Sequence, residues 1–206
     1  MDNLFRVSVK GVLKVNHKYL LRKNERDEWE LIGGKLETGD KSIKSRLKTE
    51  FREEAGLRVK VDGHLEPWVY KIGDRRILIL PYITEIMSSR KKKSLQNEEL
   101  GWFINKELDS LNLPDGYMHS IRQTVPFGSY SYLKGGEAGF PDSMFKVYVV
   151  IKDINRKTRV LLENHQNPRE IAEGVIREKS LSGVKLISEP STRYKNNIFI
   201  NYRIFR

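Results

Sequence analysis

Two stretches of the sequence decide the fold: Gly33-Gly34-Lys35-Leu36-Glu37-Thr38-Gly39-Asp40 and Thr49-Glu50-Phe51-Arg52-Glu53-Glu54-Ala55-Gly56-Leu57. A glycine turn leads into a predicted helix that carries Glu50, Glu53 and Glu54 at positions i, i+3 and i+4, so the three carboxylates share one face. Carboxylates this close repel one another unless a cation or basic side chains offset the repulsion. The pattern indicates a divalent metal held against a phosphate, although an exposed helix face paired with its own basic residues explains the glutamates taken alone.

The same residues resemble the Nudix box: Gly, five residues, Glu, seven residues, Arg-Glu, apolar, any residue, Glu-Glu, any residue, Gly, apolar. Gly34 takes the first position, Asp40 stands for the first Glu, and residues 50–57 match the second half without a gap. The segment 29–34 looks like the strand that enters such a box. The resemblance covers residues 4 to about 123 and nothing after 140.

Three features depart from this box. Asp40 keeps the carboxylate of the usual Glu but has a shorter reach. Thr49 stands where the family has an arginine that orients the box carboxylates, so that guanidinium is missing. Eight residues rather than seven separate Asp40 from Thr49, and one extra residue rotates a helix by about 100°. We expect the loop to absorb this residue, Arg46 or Lys48 to replace part of the arginine's role, and catalysis to be weakened or lost.

The resemblance implies a Nudix-type α/β/α sandwich and a hydrolase that cleaves a nucleoside diphosphate linked to another group. In that reading Glu50, Glu53 and Glu54 hold Mg²⁺ or Mn²⁺, because these ions prefer oxygen ligands and lower the pKa of bound water. The substrate is a nucleotide derivative. The sequence carries no signature that identifies it further.

The resemblance also suggests a general base and a substrate-binding set. The base is Glu53 or, in a later loop, Glu98, for which Glu99 is an equal alternative. Three further residues are predicted to contact the substrate: Arg22, Glu30 and Gly34.

The apolar pattern predicts an α/β (α+β) fold with a mixed sheet and helices packed on it. Turn and capping residues divide the chain into short elements. In chain order we predict a hairpin over 5–21 that turns at Asn16-His17, a helix from Asp40 or Ser42 to Gly56, strands at 59–61, 68–70 and 77–83, a short helix at 106–111 and a helix at 115–123.

A second unit is predicted after the glycine-rich segment 128–139, which reads as a flexible connection. We place the boundary near Phe140, between a Nudix-like domain, 1–140, and a small basic α/β extension, 141–206. The extension is predicted to contain strands at 145–151 and near 160–162, a helix capped by Asn167 with Pro168 at its first position, and strands near 186 and at 198–204. A small open sheet often pairs with another chain, so a homodimer is one expectation.

The charge of the chain favours anionic partners. Lys and Arg number 38 against 27 Asp and Glu, a net charge of +11, which suits nucleotides or RNA; solvated surface lysines explain it equally well. The basic run 90–93 reads as an exposed loop. In the tail, Tyr194, Phe199, Tyr202 and Phe205 interleave with basic residues. This alternation suits stacking on bases, but we favour the plainer interpretation of an amphipathic strand.

The remaining features concern location and function. The absence of cysteine excludes disulfides, thiolate zinc sites and a cysteine nucleophile. No secretion signal and no run of about 20 apolar residues is present, so we expect a cytoplasmic protein outside the membrane. Two functions are open: a metal-dependent Nudix pyrophosphohydrolase, or a catalytically impaired Nudix-like nucleotide sensor or nucleic-acid-binding regulator that uses 141–206 as its effector.

Overall fold

The computed structural model describes residues 4–73, 75–89, 99–122, 130–132, 144–154, 156–163 and 166–205. The strands in these ranges are β1 Leu4–Val15, β2 Lys18–Lys23, β3 Trp29–Leu31, β4 Leu57–His64, β5 Trp68–Ile72, β6 Arg75–Ser89, β7 Leu100–Ile104, β8 Tyr130–Tyr132, β9 Phe145–Asp153, β10 Arg156–Leu161, β11 Lys185–Tyr194 and β12 Asn197–Phe205. The helices are α1 Ile43–Glu54, α2 Asp115–Arg122 and α3 Pro168–Glu178, with a 3₁₀ turn at Leu108–Ser110.

The strands form one mixed sheet with β1 at its centre. Its main path runs β11-β12-β9-β1-β6-β5-β8, while β10 pairs with β9, β4 pairs with β6, and β2 joins β1 to β3 and β7. β1 and β6 are parallel, with Arg6 opposite Ile77 and Ser8 opposite Ile79. β1 is antiparallel to β2 at one end and to β9 at the other. Because β1 has strand neighbours on both edges and helices cover both faces of the sheet, it is buried along most of its length.

Helices cover both faces of the sheet. On one face, α1 and α3 pack in a single apolar cluster; on the other, α2 packs on β5 and β6. Representative members of the first cluster are Val7, Leu47, Phe51, Val147 and Ala172; those of the second are Trp68, Tyr70, Ile79, Tyr117 and Ile121. The predicted α/β/α sandwich with a mixed sheet is confirmed.

Local sequence explains the elements before the site. Asn16 and His17 both adopt positive φ, 47° and 65°, in the two-residue turn that closes the predicted hairpin. Ser42, one of the two predicted caps, begins α1 by accepting a hydrogen bond from the Ser45 N–H, and the Ser45 hydroxyl accepts one from the Ser42 N–H. The predicted strands and helices of this part are confirmed within a few residues, with three exceptions. The strand predicted at 77–83 runs on to Ser89, the short helix is a 3₁₀ turn, and β7 and β8 were not predicted.

The tail contains every predicted element. Asn167 caps α3 and Pro168 is its first residue, as the sequence indicates. The sheet continues from the first part into the tail, because Leu4 and Phe5 pair with Lys146 and Phe145. The predicted boundary near Phe140 and the basic run 90–93 lie outside the described residues, as does the predicted connection 128–139 apart from the short strand β8. The division into two units stays a prediction.

Polar contacts also join the two parts. Glu66, just before β5, accepts a hydrogen bond of 2.5 Å from the Tyr202 hydroxyl and lies 3.4 Å from the Arg169 guanidinium. Burial raises the pKa of Glu66, against the lowering effect of these two partners. Within the described ranges, no helix is both long and apolar enough to cross a bilayer.

Candidate functional site

A cleft of about 420 Å³ opens beside the centre of the sheet. One side is formed by the glycine turn and by the face of α1 that carries Arg46, Glu50 and Glu54. The floor and the opposite wall come from β1, β2, β3, β5 and β6. Side chains of opposite character meet here, since the lining set combines basic, acidic and apolar residues: Arg6, Lys10, Arg22, Arg26, Lys35, Arg46, Glu25, Glu30, Glu37, Glu50, Glu54, Ser8, Asn24, Tyr70, Ile72, Ile77, Ile79, Tyr117 and the two glycines.

The packing of α1 decides which glutamates face the cleft. Phe51 is fully buried on the sheet, and Glu50 and Glu54 lie within about 100° of it around the helix. Both carboxylates are buried and line the cleft. Glu53 follows Phe51 by two residues, a rotation of about 200°, and is exposed outside the lining set.

Two glycines allow the chain to pass close to these carboxylates. Gly33 has φ of 139° and its Cα faces the Val9 carbonyl, so a Cβ there would be strained and would overlap backbone. A Cβ on Gly34 would overlap the Glu50 carboxylate. The glycine turn therefore forms a close cradle for Glu50, which gives Gly34 a packing role in addition to its predicted contact with substrate.

The acidic residues of the cleft are paired with basic ones. The Lys10 ammonium lies 3.1 Å from Glu30 and donates a 2.7 Å hydrogen bond to the Gly33 carbonyl. Arg22 donates a 2.7 Å hydrogen bond to Glu30 and lies 3.4 Å from Glu54. Glu54 also accepts a 3.0 Å hydrogen bond from the Gly33 N–H. Three buried carboxylates thus share the cleft with the cations of Lys10, Arg22 and Arg46.

Arg46 is one of the two residues, with Lys48, that the sequence predicts to replace part of the missing box arginine. It forms an ion pair with Glu50 one turn further along α1. That contact lacks hydrogen-bond geometry, because Oε1 of Glu50 and Nε of Arg46 are both buried without a hydrogen-bond partner. Arg46 consequently compensates the charge of Glu50 without satisfying its oxygen.

The pKa values of two carboxyls shift in opposite directions. Burial alone would raise the pKa of Glu30, but the charges of Lys10 and Arg22 outweigh it and lower that pKa. Burial raises the pKa of Glu50, and the charges of Arg46 and Lys10 do not overcome it. The pKa of Glu30 is lowered because two cations contact that carboxylate and also donate hydrogen bonds to it, whereas burial dominates at Glu50.

The donor set does not fit the divalent metal that the sequence predicts. Glu50 and Glu54 face the cleft and already contact Arg46 and Arg22, while Glu53 lies outside it. No group of three acidic, His or Cys side chains within the described residues is arranged to hold a metal ion. The Lys10 ammonium, bound to a carboxylate and a main-chain carbonyl, supplies positive charge at this point instead.

The structure brings together Arg22, Glu30, Gly34, Glu50 and Glu54. The roles assigned to them and to Glu53 stay predictions, and Glu98 lies outside the described residues.

Sequence reasoning missed four basic residues of the cleft: Arg6, Lys10, Arg26 and Lys35. Lys10 is the only charged residue between Val7 and Leu13, which is the signal that marks it. Lys35 follows the two glycines and bridges to Ser8 on β1. Arg6 lies two residues before Ser8 on the same face of that strand. Their convergence depends on β1, which no local pattern places beside the glycine turn.

The tail holds the turn that precedes α1. Arg193 of β11 donates hydrogen bonds of 2.8 Å and 2.7 Å to the carbonyls of Glu37 and Thr38. Asp40 closes the same turn by accepting a 2.7 Å hydrogen bond from the Glu37 N–H. Asp40 therefore stabilises the turn rather than reaching the helix glutamates, and the extra residue is accommodated before α1 begins.

We predict an effect of pH that identifies the buried carboxyl of Glu50. Because its pKa is raised in the folded state, Glu50 contributes stability that is present below the unfolded pKa of about 4.3 and is lost as pH rises through the folded pKa. Glu50→Gln does not titrate. The unfolding free energy of this variant minus that of the wild type should therefore increase between about pH 4 and about pH 7, measured by urea denaturation in EDTA.

Glu53→Gln is the matched control, because Glu53 is on the same helix but exposed. The rise expected for Glu50→Gln should be absent from this variant, because Glu53 lies outside the cleft. Parallel curves for Glu50→Gln and the wild type would mean that Glu50 is not desolvated in the folded protein.

Comparison with solved structures identifies the fold. The chain is similar to a Nudix hydrolase from Nitrosomonas europaea, with 19% identity, a TM-score of 0.52, and coverage of 60% of this chain and 93% of that one. A MutT protein from Bacillus halodurans shares 20% identity with the chain at a TM-score of 0.52, and the match covers 63% of this chain and 91% of that one. The chain is also similar to a MutT Nudix hydrolase from Burkholderia pseudomallei, with 21% identity, a TM-score of 0.51, and coverage of 57% of this chain and 96% of that one. No family model matches the chain, and no curated protein does. The fold over about three fifths of the chain is the Nudix fold.

Proposed function

We propose that the chain binds a nucleotide derivative through its phosphates in this cleft, and that it senses the nucleotide without a divalent metal rather than hydrolysing it. The observation that carries the proposal is the pairing of Glu30, Glu50 and Glu54 with Lys10, Arg22 and Arg46. A metal would have to displace these cations. Phosphate needs no such displacement, because basic side chains recognise it directly.

Two further cations support phosphate binding. Arg6 and Lys35 both line the cleft, and the strand bridge between Ser8 and Lys35 brings them to the same place. Burial lowers the pKa of Lys35, and the charge of Arg6 lowers it further, against the raising effect of Glu37. Two cations that repel each other in a partly buried site are stabilised by a bound anion.

The rest of the cleft suits a base or sugar. Ile77 and Ile79 of β6 lie opposite Arg6 and Ser8 in the parallel register, and Tyr70 pairs with Ile77 on the next strand. An apolar wall beside a cationic one is what an amphipathic ligand requires. A nucleotide presents a flat ring and a phosphate chain, which match the two walls.

The test is a binding and hydrolysis panel with the intact chain. ADP-ribose, nucleoside triphosphates, NADH, nucleotide sugars and dinucleoside polyphosphates are titrated by calorimetry in EDTA and then incubated with Mg²⁺ or Mn²⁺. We expect at least one to bind in EDTA and none to be cleaved. Arg6→Ala and Lys35→Ala should each weaken that binding about tenfold or more, the loss of a charge-assisted hydrogen bond. Lys60→Ala, at an exposed position of β4, is the control.

The competing function is the metal-dependent pyrophosphohydrolysis of a nucleoside diphosphate derivative. One observation favours it: Glu50 Oε1 lacks a hydrogen-bond partner and lies against Gly34, an acceptor that a cation would satisfy. Cleavage of any panel member that requires Mg²⁺ or Mn²⁺ and is lost in Glu50→Gln would establish this function and overturn the sensor. Failure of every compound to bind in EDTA would also overturn the proposed metal-free sensor.

A further inference from the structure

The tail presents a sheet face that the cleft does not use. Strands β10, β9, β12 and β11 lie side by side in that order. Their inward residues join the apolar cluster with α3, as Val147, Ala172 and Ile200 do. The outward residues alternate with them, and we call this side the outer face. Almost all of its side chains are exposed or half-buried; Val150 and Asn201, at its centre, are the buried exceptions.

The outer face is strongly basic. Strand registers place six cations on it, and Glu189 is its only acidic side chain among the described residues. Glu189 accepts hydrogen bonds from Lys152 and Arg203, of 2.6 Å and 2.5 Å, and the lysine hydrogen bond is the main cause of its lowered pKa. The six cations are Lys146, Lys152, Lys157, Arg159, Lys185 and Arg203.

Aromatic rings lie among these charges. Tyr148 and Phe199 are direct partners on β9 and β12, and their rings stack with centroids 5.5 Å apart and planes 17° from parallel. The Arg159 guanidinium lies 5.7 Å and 5.1 Å from the two ring centres. Further along the same side, Tyr194 is 64% exposed and Phe205 is 47% exposed. Tyr202, which the sequence groups with them, instead points into the core.

We propose that the outer face binds single-stranded RNA. Flat rings on a sheet surface stack with unpaired bases, and arginine planes do the same, while neighbouring cations contact the phosphates. Tyr148, Phe199 and Arg159 supply the stacking surface, with lysines on both sides of it. The nucleotide cleft is a separate site, so this activity does not depend on the function proposed above.

The charge and shape of the face select this partner. Two copies of a face with six cations and one carboxylate repel each other, which disfavours self-association. A duplex keeps its bases paired and stacked, so it offers no free base to stack on the exposed rings. An acidic peptide would pair with the cations, but it has no regularly repeated flat groups that could stack on the rings of this face. Unpaired RNA satisfies both the rings and the cations.

The test is fluorescence anisotropy of a labelled oligouridylate of about 12 nucleotides with the intact chain. We expect binding that weakens with salt, with a slope of log affinity against log salt of about −0.7 for each phosphate contacted. Tyr148→Ala with Phe199→Ala should reduce affinity about tenfold or more. Lys146→Glu and Lys157→Glu, both at exposed positions, provide variants that leave the core untouched and should also reduce it.

Matched controls lie outside the tail. Trp102, 41% exposed on β7, and Lys60, exposed on β4, serve as the aromatic and the basic control, and their Ala and Glu variants should bind as the wild type does. The proposal is overturned if no RNA binds at low salt, or if duplex RNA, single-stranded DNA or polyglutamate binds as tightly. It is also overturned if sedimentation shows that the wild type is a dimer and that Lys157→Glu is a monomer, because the outer face would then be a dimer interface.

Discussion

Replacing Lys10 with Met is expected to lower the free energy of unfolding by about 3–5 kcal/mol, the range for removing one partner of a buried ion pair. The side chains of Lys10 and Glu30 are only 5% and 7% exposed. Met keeps the length and the apolar stem, so the loss is mainly that of the ammonium. Glu30 would retain Arg22, but the Gly33 carbonyl would lose the hydrogen bond that it accepts from Lys10. Urea denaturation measures the change.

Lys60→Met is the control for Lys10→Met. Lys60 lies 3.1 Å from Asp62, but both side chains are more than half exposed, so this change should leave the unfolding free energy nearly as it is. Glu30→Gln combined with Lys10→Met completes a double-mutant cycle that isolates the pair. If Lys10→Met cost no more than Lys60→Met, the ammonium would not be a buried structural cation of the cleft.

The same variant tests whether the Lys10 ammonium occupies the place that a metal would take in the cleft. Removing the Lys10 ammonium leaves the Gly33 carbonyl and the Oε2 atom of Glu30 without a cation, while Oε1 of Glu30 keeps Arg22. We therefore expect Mg²⁺ or Mn²⁺ to raise the midpoint of thermal unfolding of Lys10→Met but not that of the wild type.

Local patterns predicted the elements because each is determined by residues close in sequence. Asn16-His17 marks the hairpin turn, Ser42 and Asn167 are cap residues, and Ile43, Leu47 and Phe51 mark one side of α1. The convergence of Arg22, Glu30 and Gly34 with the helix was inferred from the Nudix box and agrees with the structure. These inferences need either local chemistry or a motif of fixed spacing.

Contacts distant in sequence escaped prediction. Lys10 alternates with Val9 and Gly11 as an exposed strand residue does, and its burial requires knowing that β1 is central. The spacing places Glu53 near Glu50 and Glu54 on the helix. Because Phe51 is buried on the sheet, the helix is oriented so that Glu50 and Glu54 face the cleft and Glu53 is exposed to solvent. The pairing of β9 with the start of β1, which extends the sheet into the tail, likewise depends on residues about 140 positions apart.

Phe51→Ala is expected to cost about 3–5 kcal/mol of unfolding free energy, the range for truncating a buried aromatic residue. Phe51 is fully buried, and its ring lies directly on Gly11 of β1, where a Cβ would overlap it. The close fit means that the cavity left by the ring borders rigid backbone and cannot collapse easily. Phe51→Leu should cost less, because Leu fills part of the volume.

The position of Phe51 also links stability to the site. The ring fixes the rotation of α1 that directs Glu50 and Glu54 into the cleft. The difference in unfolding free energy between variants with Glu50 and with Gln at position 50 should therefore depend less on pH when both also carry Phe51→Ala. Ile86→Ala, on β6 and 39% exposed, is the control and should change neither quantity appreciably. A full pH difference in a destabilised Phe51→Ala background would show that Arg46 and the glycine turn orient Glu50 without the help of the helix core.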